Sequence, residues 1–298
     1  MKLIYTIFFV GLSISCTAQN FQKEFKKHYS ANDTTAQFNV LIEWEKQNPD
    51  DAELYTSYFN YYFNLATKEI MAIEDEPSSN ESLEIVDSLG NVKGYINNKI
   101  VYTDEYINKG FEYINIGIKK YPSRLDMRFG KAHVYSKMDY WEDFTRTIIN
   151  TIDYSEQNNV KWTWTNNEPL EEPAEFLLAS VQDYCVMLYN NNDDKSIVLM
   201  QKIALKVLEY HPDNTKSLSN LSISYMLTGE IDKALKALLK AEKIEPTDYI
   251  VLSNIAHAYK LKGDIDSSIS YYEKTHKYGD EQAKQFATEQ INLLKQNK

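Results

Sequence analysis

A self-similarity at a spacing of 34 residues limits this fold more than any other feature of the chain. Pro212 and Pro246 stand 34 apart, and the segments that follow them can be laid over each other. In 215–248 the framework is Leu218, Leu221, Ser222, Tyr225, Gly229, Ala234, Leu238, Ala241 and Pro246. In 249–282 the same offsets hold Leu252, Ile255, Ala256, Tyr259, Gly263, Ser268, Tyr272, Thr275 and Asp280. Large residues three, four and seven apart form one apolar stripe on a helix, and small residues such as Ser222 and Ala256 mark places where helices cross closely. Gly229 and Gly263 stop the first helix of each segment, and Pro246 follows the second, where it cannot continue one.

Composition agrees with a helical array. The chain has 9 Gly and 7 Pro in 298 residues, well under the usual roughly 7% and 5%, so folds rich in tight turns are disfavoured. The 34-residue framework resembles the tetratricopeptide repeat, two antiparallel helices per unit. The resemblance is closest over 215–282 and partial upstream, where Pro212 closes a helix pair in 174–211 and Pro122 precedes another helical stretch. Pro49 precedes a further helix, with Asp50 and Glu53 spaced as a capping box. The expected fold is all-α: an α-solenoid of about six helical hairpins, with about 65–70% helix against a base rate of roughly 30–35%. A C-terminal capping helix at 283–298 supplies the polar end such arrays need.

Two insertions interrupt the spacing. Within 75–102, Leu83–Val86 and Val92–Ile96 are β-prone and joined by a turn, with a third β-prone patch at Ile100–Tyr102, which predicts a small β-hairpin. The segment 156–172 carries two of the four Trp and has no helical period, which predicts an ordered loop holding Trp162 or Trp164 against the helices.

Residues 1–18 have Lys2, an apolar run from Leu3 to Leu12 and small residues before Gln19, the pattern of a secretory signal peptide. The run is too short to span a bilayer, so no integral membrane span is expected. Cleavage after Ala18 is favoured over a lipid anchor at Cys16, because a bacterial lipobox wants Leu where Ser13 stands. The leader resembles those of secreted Bacteroidota proteins and implies export to the periplasm or beyond; the lipidated alternative is an outer-membrane lipoprotein. Removal of the leader leaves Cys185 as the sole thiol, unable to form an internal disulfide.

The net charge of −11 makes nucleic acid an unsuitable partner, since phosphate binding needs the opposite sign. No glycine spacing fits a dinucleotide or phosphate loop, and no His pair stands at metal-helix spacing; no catalytic, cofactor or metal residue is assigned. What the resemblance implies is a concave groove that holds a protein or peptide. Its candidates are Ile223 and Met226 with Ser219, then His257 and Lys260 with Ser253. Further upstream come Arg128 and His133 with Phe129 and Ser136, then Tyr189 with Cys185. The expected role is a non-enzymatic binding scaffold of the cell envelope. The alternatives are a structural spacer or, last, a hydrolase assembled across repeats. For the processing step, the intact mass of protein from its native host is expected to start at Gln19; a diacylated Cys16 as first residue would contradict it.

Overall fold

The computed structural model describes residues 10–296, with side chains from residue 20 onward. Helix makes up 71% of it, in thirteen α-helices beside one three-stranded antiparallel sheet among the described residues. No helix among them is long and apolar enough to cross a membrane. Of the expected leader, residues 1–9 lie outside the described residues, and Val10–Ala18 belong to the backbone of the first helix. The chain forms two units: one reaches Met138 and takes in Trp162–Pro169, the other comprises Asp139–Lys161 and everything from Leu170 on.

The first unit contains α1 (Val10–Ser30), α2 (Thr34–Gln47), α3 (Ala52–Ala66), β1 (Thr67–Glu74), β2 (Leu83–Val86), β3 (Val92–Tyr102), α4 (Asp104–Lys120) and α5 (Leu125–Lys137). Phe25, Leu41, Trp44, Leu54 and Tyr58 pack α1, α2 and α3 together. The α3 cap differs from the capping box read in the sequence. Asp51, not Asp50, stands at the N-cap and accepts from the Glu53 backbone N–H (3.0 Å) and from Trp44 Nε1 (3.0 Å). Burial raises its carboxyl above the usual range, against the pull of those donors. The Glu53 side chain turns away from the cap to Arg124, 2.7 Å away. Helices α3 and α4 approach closely at Gly117, where a Cβ would stand 2.9 Å from that of Tyr55.

The expected hairpin is present as β2 and β3, and β1 joins it to make a three-stranded sheet of order β1-β3-β2. The patches at 92–96 and 100–102 are one strand, β3, and β1 is a strand absent from the sequence reading. Thr67 pairs Tyr102 and Glu74 pairs Tyr95, so β1 runs unbroken out of α3 along β3. Lys, Glu, Met and Ala make 67–74 helix-like in local propensity, and pairing with β3 overrides it. At the root of the sheet the Thr103 N–H donates to the Ala66 carbonyl (2.9 Å), and Tyr102 stacks on Phe63.

The Trp-bearing loop contributes 162–169 to this unit. Thr163 bonds both ways with the start of α5, donating to the Ser123 carbonyl (2.9 Å) and accepting from the Leu125 N–H (3.0 Å). Trp162 is buried, and Trp164 meets Phe129 edge to face.

The second unit runs α6 (Trp141–Gln157), α7 (Pro173–Asn190), α8 (Asp194–Tyr210), α9 (Thr215–Leu227), α10 (Ile231–Ile244), α11 (Tyr249–Lys262), α12 (Ile265–Tyr278) and α13 (Glu281–Gln296). Asp193, Asn214, Asp248 and Asp264 cap the starts of α8, α9, α11 and α12 through side-chain oxygens on first-turn N–H groups. Gly229 (φ 79°) and Gly263 (φ 84°) take the left-handed conformation that ends α9 and α11, a backbone glycine adopts without Cβ strain. Leu218, Leu235, Leu238, Val251 and Ile255 form the core between successive hairpins. The final helix closes the array: Ala287 and Leu294 of α13 cover Tyr272 and Ala256. Where α11 and α12 cross, Ser268 Oγ donates to the Ala256 carbonyl (2.8 Å), a contact only small residues permit.

Ile255 is fully buried between hairpins. Ile255→Ala is expected to lower unfolding free energy by about 2–4 kcal/mol, as buried large-to-small changes do, read as a lower urea midpoint at unchanged slope.

Candidate functional site

Three helices of the second unit, α7, α9 and α11, place side chains around a cavity of ≈ 430 Å³. Two kinds of side chain meet there. Val186, Tyr189, Ile223 and Ile250 are apolar, whereas Gln182, Ser219, Asn220 and Asn254 carry hydrogen-bonding tips. A second cavity of ≈ 310 Å³, lined by Tyr249, Ile250, Ser253, Asn254 and Phe286 among others, continues toward α13. Ile250 and Asn254 belong to both, so the two cavities adjoin on α11.

The polar groups link each inner helix to the next. Asn220 Nδ2 donates to Gln182 Oε1 (2.7 Å), tying α9 to α7. One repeat later, Asn254 Nδ2 donates to Ser219 Oγ (2.9 Å), tying α11 to α9. Asn220 and Asn254 are one repeat length apart, and both amides hold the framework while forming the groove floor. Asn254 stays partly exposed, as an amide must to bond a ligand's backbone. Charge in the groove is sparse: Lys216 and Asp248 border the first cavity, and Asp280 the second, where it accepts from Tyr249 Oη (3.0 Å). Among the described residues no group of His, Cys, Asp and Glu could hold a metal ion.

Cys185 faces this cavity from α7 with 1% of its surface exposed. Burial pushes its thiol up to about 12, against a smaller opposing effect of the Asn220 side chain. It is a small packing residue, not a nucleophile.

The residues expected at the site fall in several environments. Tyr189 and Ile223 line the cavity together with Ser219 and Cys185, and Ser253 lines the adjoining one. Met226 packs on the hydrophobic core of its repeat. Lys260 reaches α13 and donates to Gln290 Oε1 (3.0 Å), a strut to the final helix. His257 is exposed on α11, and partial burial of its ring, with Lys260 beside it, holds it below the usual His range. Arg128 and His133 lie on α5 in the first unit. Arg128 donates twice to the Pro122 carbonyl (3.2 Å each) and sits over the Trp162 ring. His133 is exposed there, lowered by partial burial and then by Lys137.

Ile250, Val186 and Phe286 are groove residues the sequence reading lacks. The signal was present at Ile250. Val251, Leu252 and Ile255 already fill the buried stripe of α11, so an extra isoleucine in the first turn faces elsewhere, and it is 55% exposed.

The second unit is thus an array of antiparallel helical hairpins with a groove along its inner helices. Residues 215–248 and 250–274 match the family model for the tetratricopeptide repeat, so the chain carries tetratricopeptide repeats there. No curated protein matches the sequence. Similar solved structures include the C-terminal part of a TPR repeat-containing protein from Cytophaga hutchinsonii, at 12% identity over 86% of this chain and 78% of that one, with a TM-score of 0.44. The Sgt2 TPR domain from Aspergillus fumigatus is 18% identical over 40% of this chain and 77% of its own, TM-score 0.35. The first TPR of Spaghetti, bound to an HSP90 peptide, is 12% identical over 40% and 90%, TM-score 0.35.

The Cys185 environment has a direct readout. In protein lacking residues 1–18, Ellman's reagent at pH 8 is expected to react at least a hundredfold more slowly than in 6 M guanidinium. Near-equal rates would contradict the buried, protonated thiol.

Proposed function

We propose that this protein is an exported, non-enzymatic scaffold that holds an extended segment of a partner protein along α7, α9 and α11. The observation that carries the reading is the pair of adjoining cavities that share Ile250 and Asn254, lined in part by the residues that match the tetratricopeptide repeat. Its apolar members, Tyr189 and Ile250, are about half exposed although the fold gives them nothing to cover. Aromatic and aliphatic side chains held on rigid helices make good anchors, because little further ordering is needed when a ligand arrives. The amide tips supply donors and acceptors for a ligand backbone.

The charge of the groove selects among ligands. One Lys faces two Asp along it, so it is no clamp for an acidic tail. Ser219 also stands where the carboxylate-gripping members of the family place Lys. The favoured ligand is an uncharged segment with spaced apolar side chains. The envelope as the site of this work is part of the proposal, and the leader pattern at 1–18 supports it.

A photo-crosslinking amino acid installed at Ile250, at Tyr189 or at Lys236 in the native host tests the groove. Lys236 is exposed on α10, away from both cavities. Discrete adducts from positions 250 and 189, with none from 236, are expected. The same adducts from all three positions would place binding elsewhere.

A further inference from the structure

The insertion sheet leaves one face bare. Its register sets Ile73, Ile96 and Leu83 in one row across the three strands. Strand alternation adds Met71 and Ile100 to the same face. Met71 is 78% exposed, Ile73 76% and Leu83 65%. On the opposite face the chain itself covers the region of Asn97. Asn97 is buried there, donating to Glu74 Oε2 (2.7 Å) and the Glu76 carbonyl (2.9 Å) and accepting from the Ser78 N–H (3.1 Å). A loop thus closes over that face around Asn97, whereas Met71, Ile73 and Leu83 on the other face stay open. Soluble proteins seldom leave adjoining aliphatic side chains so exposed unless something binds them.

The two outer strands are unlike. β2 has four residues and a register shift at Ile85/Val86, which blunts it as a template. β1 has eight residues, pairs with β3 without a break and contains no Pro. Among the described residues no strand pairs with its outer edge. Charge then narrows the occupant. Residues 67–102 hold three lysines against seven carboxylates, a net −4. Along β1, Glu69 precedes the exposed Met71 and Ile73, and Glu74, Asp75 and Glu76 follow them. A second copy would bring the same carboxylates to the same edge, and an anionic bilayer would be repelled by them.

We propose that β1 receives an extended, basic segment of a partner protein as a fourth strand, with aliphatic side chains on Met71 and Ile73 and cationic ones beside Glu69 and Asp75. Main-chain hydrogen bonds would supply affinity, and the flanking charges register and choice. Glu69 and Asp75, which directly follows the end of β1, are six positions apart, about 20 Å of extended backbone, so the cationic groups of the segment stand about that far apart.

The probe is a fluorescent peptide, acetyl-KTVTITK-amide, with the acidic twin acetyl-ETVTITE-amide as control, titrated by anisotropy into the full chain. Saturable binding of the basic peptide is expected, at least tenfold tighter than that of the acidic twin. Met71→Lys/Ile73→Lys is expected to weaken it at least tenfold with the helical melting curve unchanged, whereas Ile250→Asp in the groove leaves it unaltered. Glu69→Lys/Asp75→Lys guards against a loss that reflects only a disturbed sheet, since it is expected to exchange the preference of the two peptides. Equal binding of both peptides by the unaltered chain, or no exchange in that variant, would overturn the proposal. So would a dimer, or binding to phosphatidylglycerol vesicles, that Met71→Lys/Ile73→Lys abolishes.

Discussion

A helical hairpin with one apolar stripe cannot bury that stripe alone, and the second unit is organised by this constraint. Ala234, Leu238 and Ala241 of α10 are buried, and so are Val251, Ile255 and Ala258 of the next hairpin. Each hairpin supplies the surface its neighbour lacks, so the spacing between equivalent residues is fixed by stacking geometry. Only the faces that stack are constrained. The inner surfaces of α7, α9 and α11 are left to vary, and there Tyr189, Ile223 and Ile250 occur beside amides shared with the framework.

The first unit depends on a different interaction. Arg124, 1% exposed, is bidentate to Asp126 (2.8 and 2.7 Å) and 2.7 Å from Glu53. Burial works against its charge, but the two carboxylates outweigh that and raise its pKa above the usual value. Glu53 also accepts from the Asn166 N–H (2.7 Å), so one ionic cluster joins α3, the start of α5 and the Trp-bearing loop. Such a cluster adds little stability over a well-packed apolar core, yet removing one member leaves a buried charge without compensation. Its strength lies in fixing which segments meet.

The repeats were legible because their residues act locally. Leucines at helical spacing, glycines where chirality demands them and a proline after the second helix each state a geometric requirement within a few positions. The final helix was legible for the same reason. β1 was not, since its residues favour helix locally and its partner strand begins 18 residues after it ends. The Glu53–Arg124 pairing was hidden in the same way, as it joins residues far apart in sequence, and Glu53 was read instead as half of a local cap. In the groove, repeat offsets lead to Ile223 and Tyr189, but offsets alone cannot separate Met226, on the core side of its helix, from its neighbours. Ile250 needed the opposite inference, that a large residue outside a filled stripe faces something else.

The cluster around Arg124 has a bearing on how the chain is made. Asn166 lies 113 positions after Glu53, the carboxylate it bonds. The second unit begins at Asp139, before the first has received its last segment. A chain emerging from its amino end therefore cannot finish the first unit in turn. When α5 is complete, Arg124 has its carboxylates, but the Glu53 oxygen meant for the Asn166 N–H still faces water. Closure waits until α6 has been made and the loop after it returns. The two units are thus interleaved in time as well as in sequence, and a chain interrupted between 138 and 162 carries a first half without its fastening.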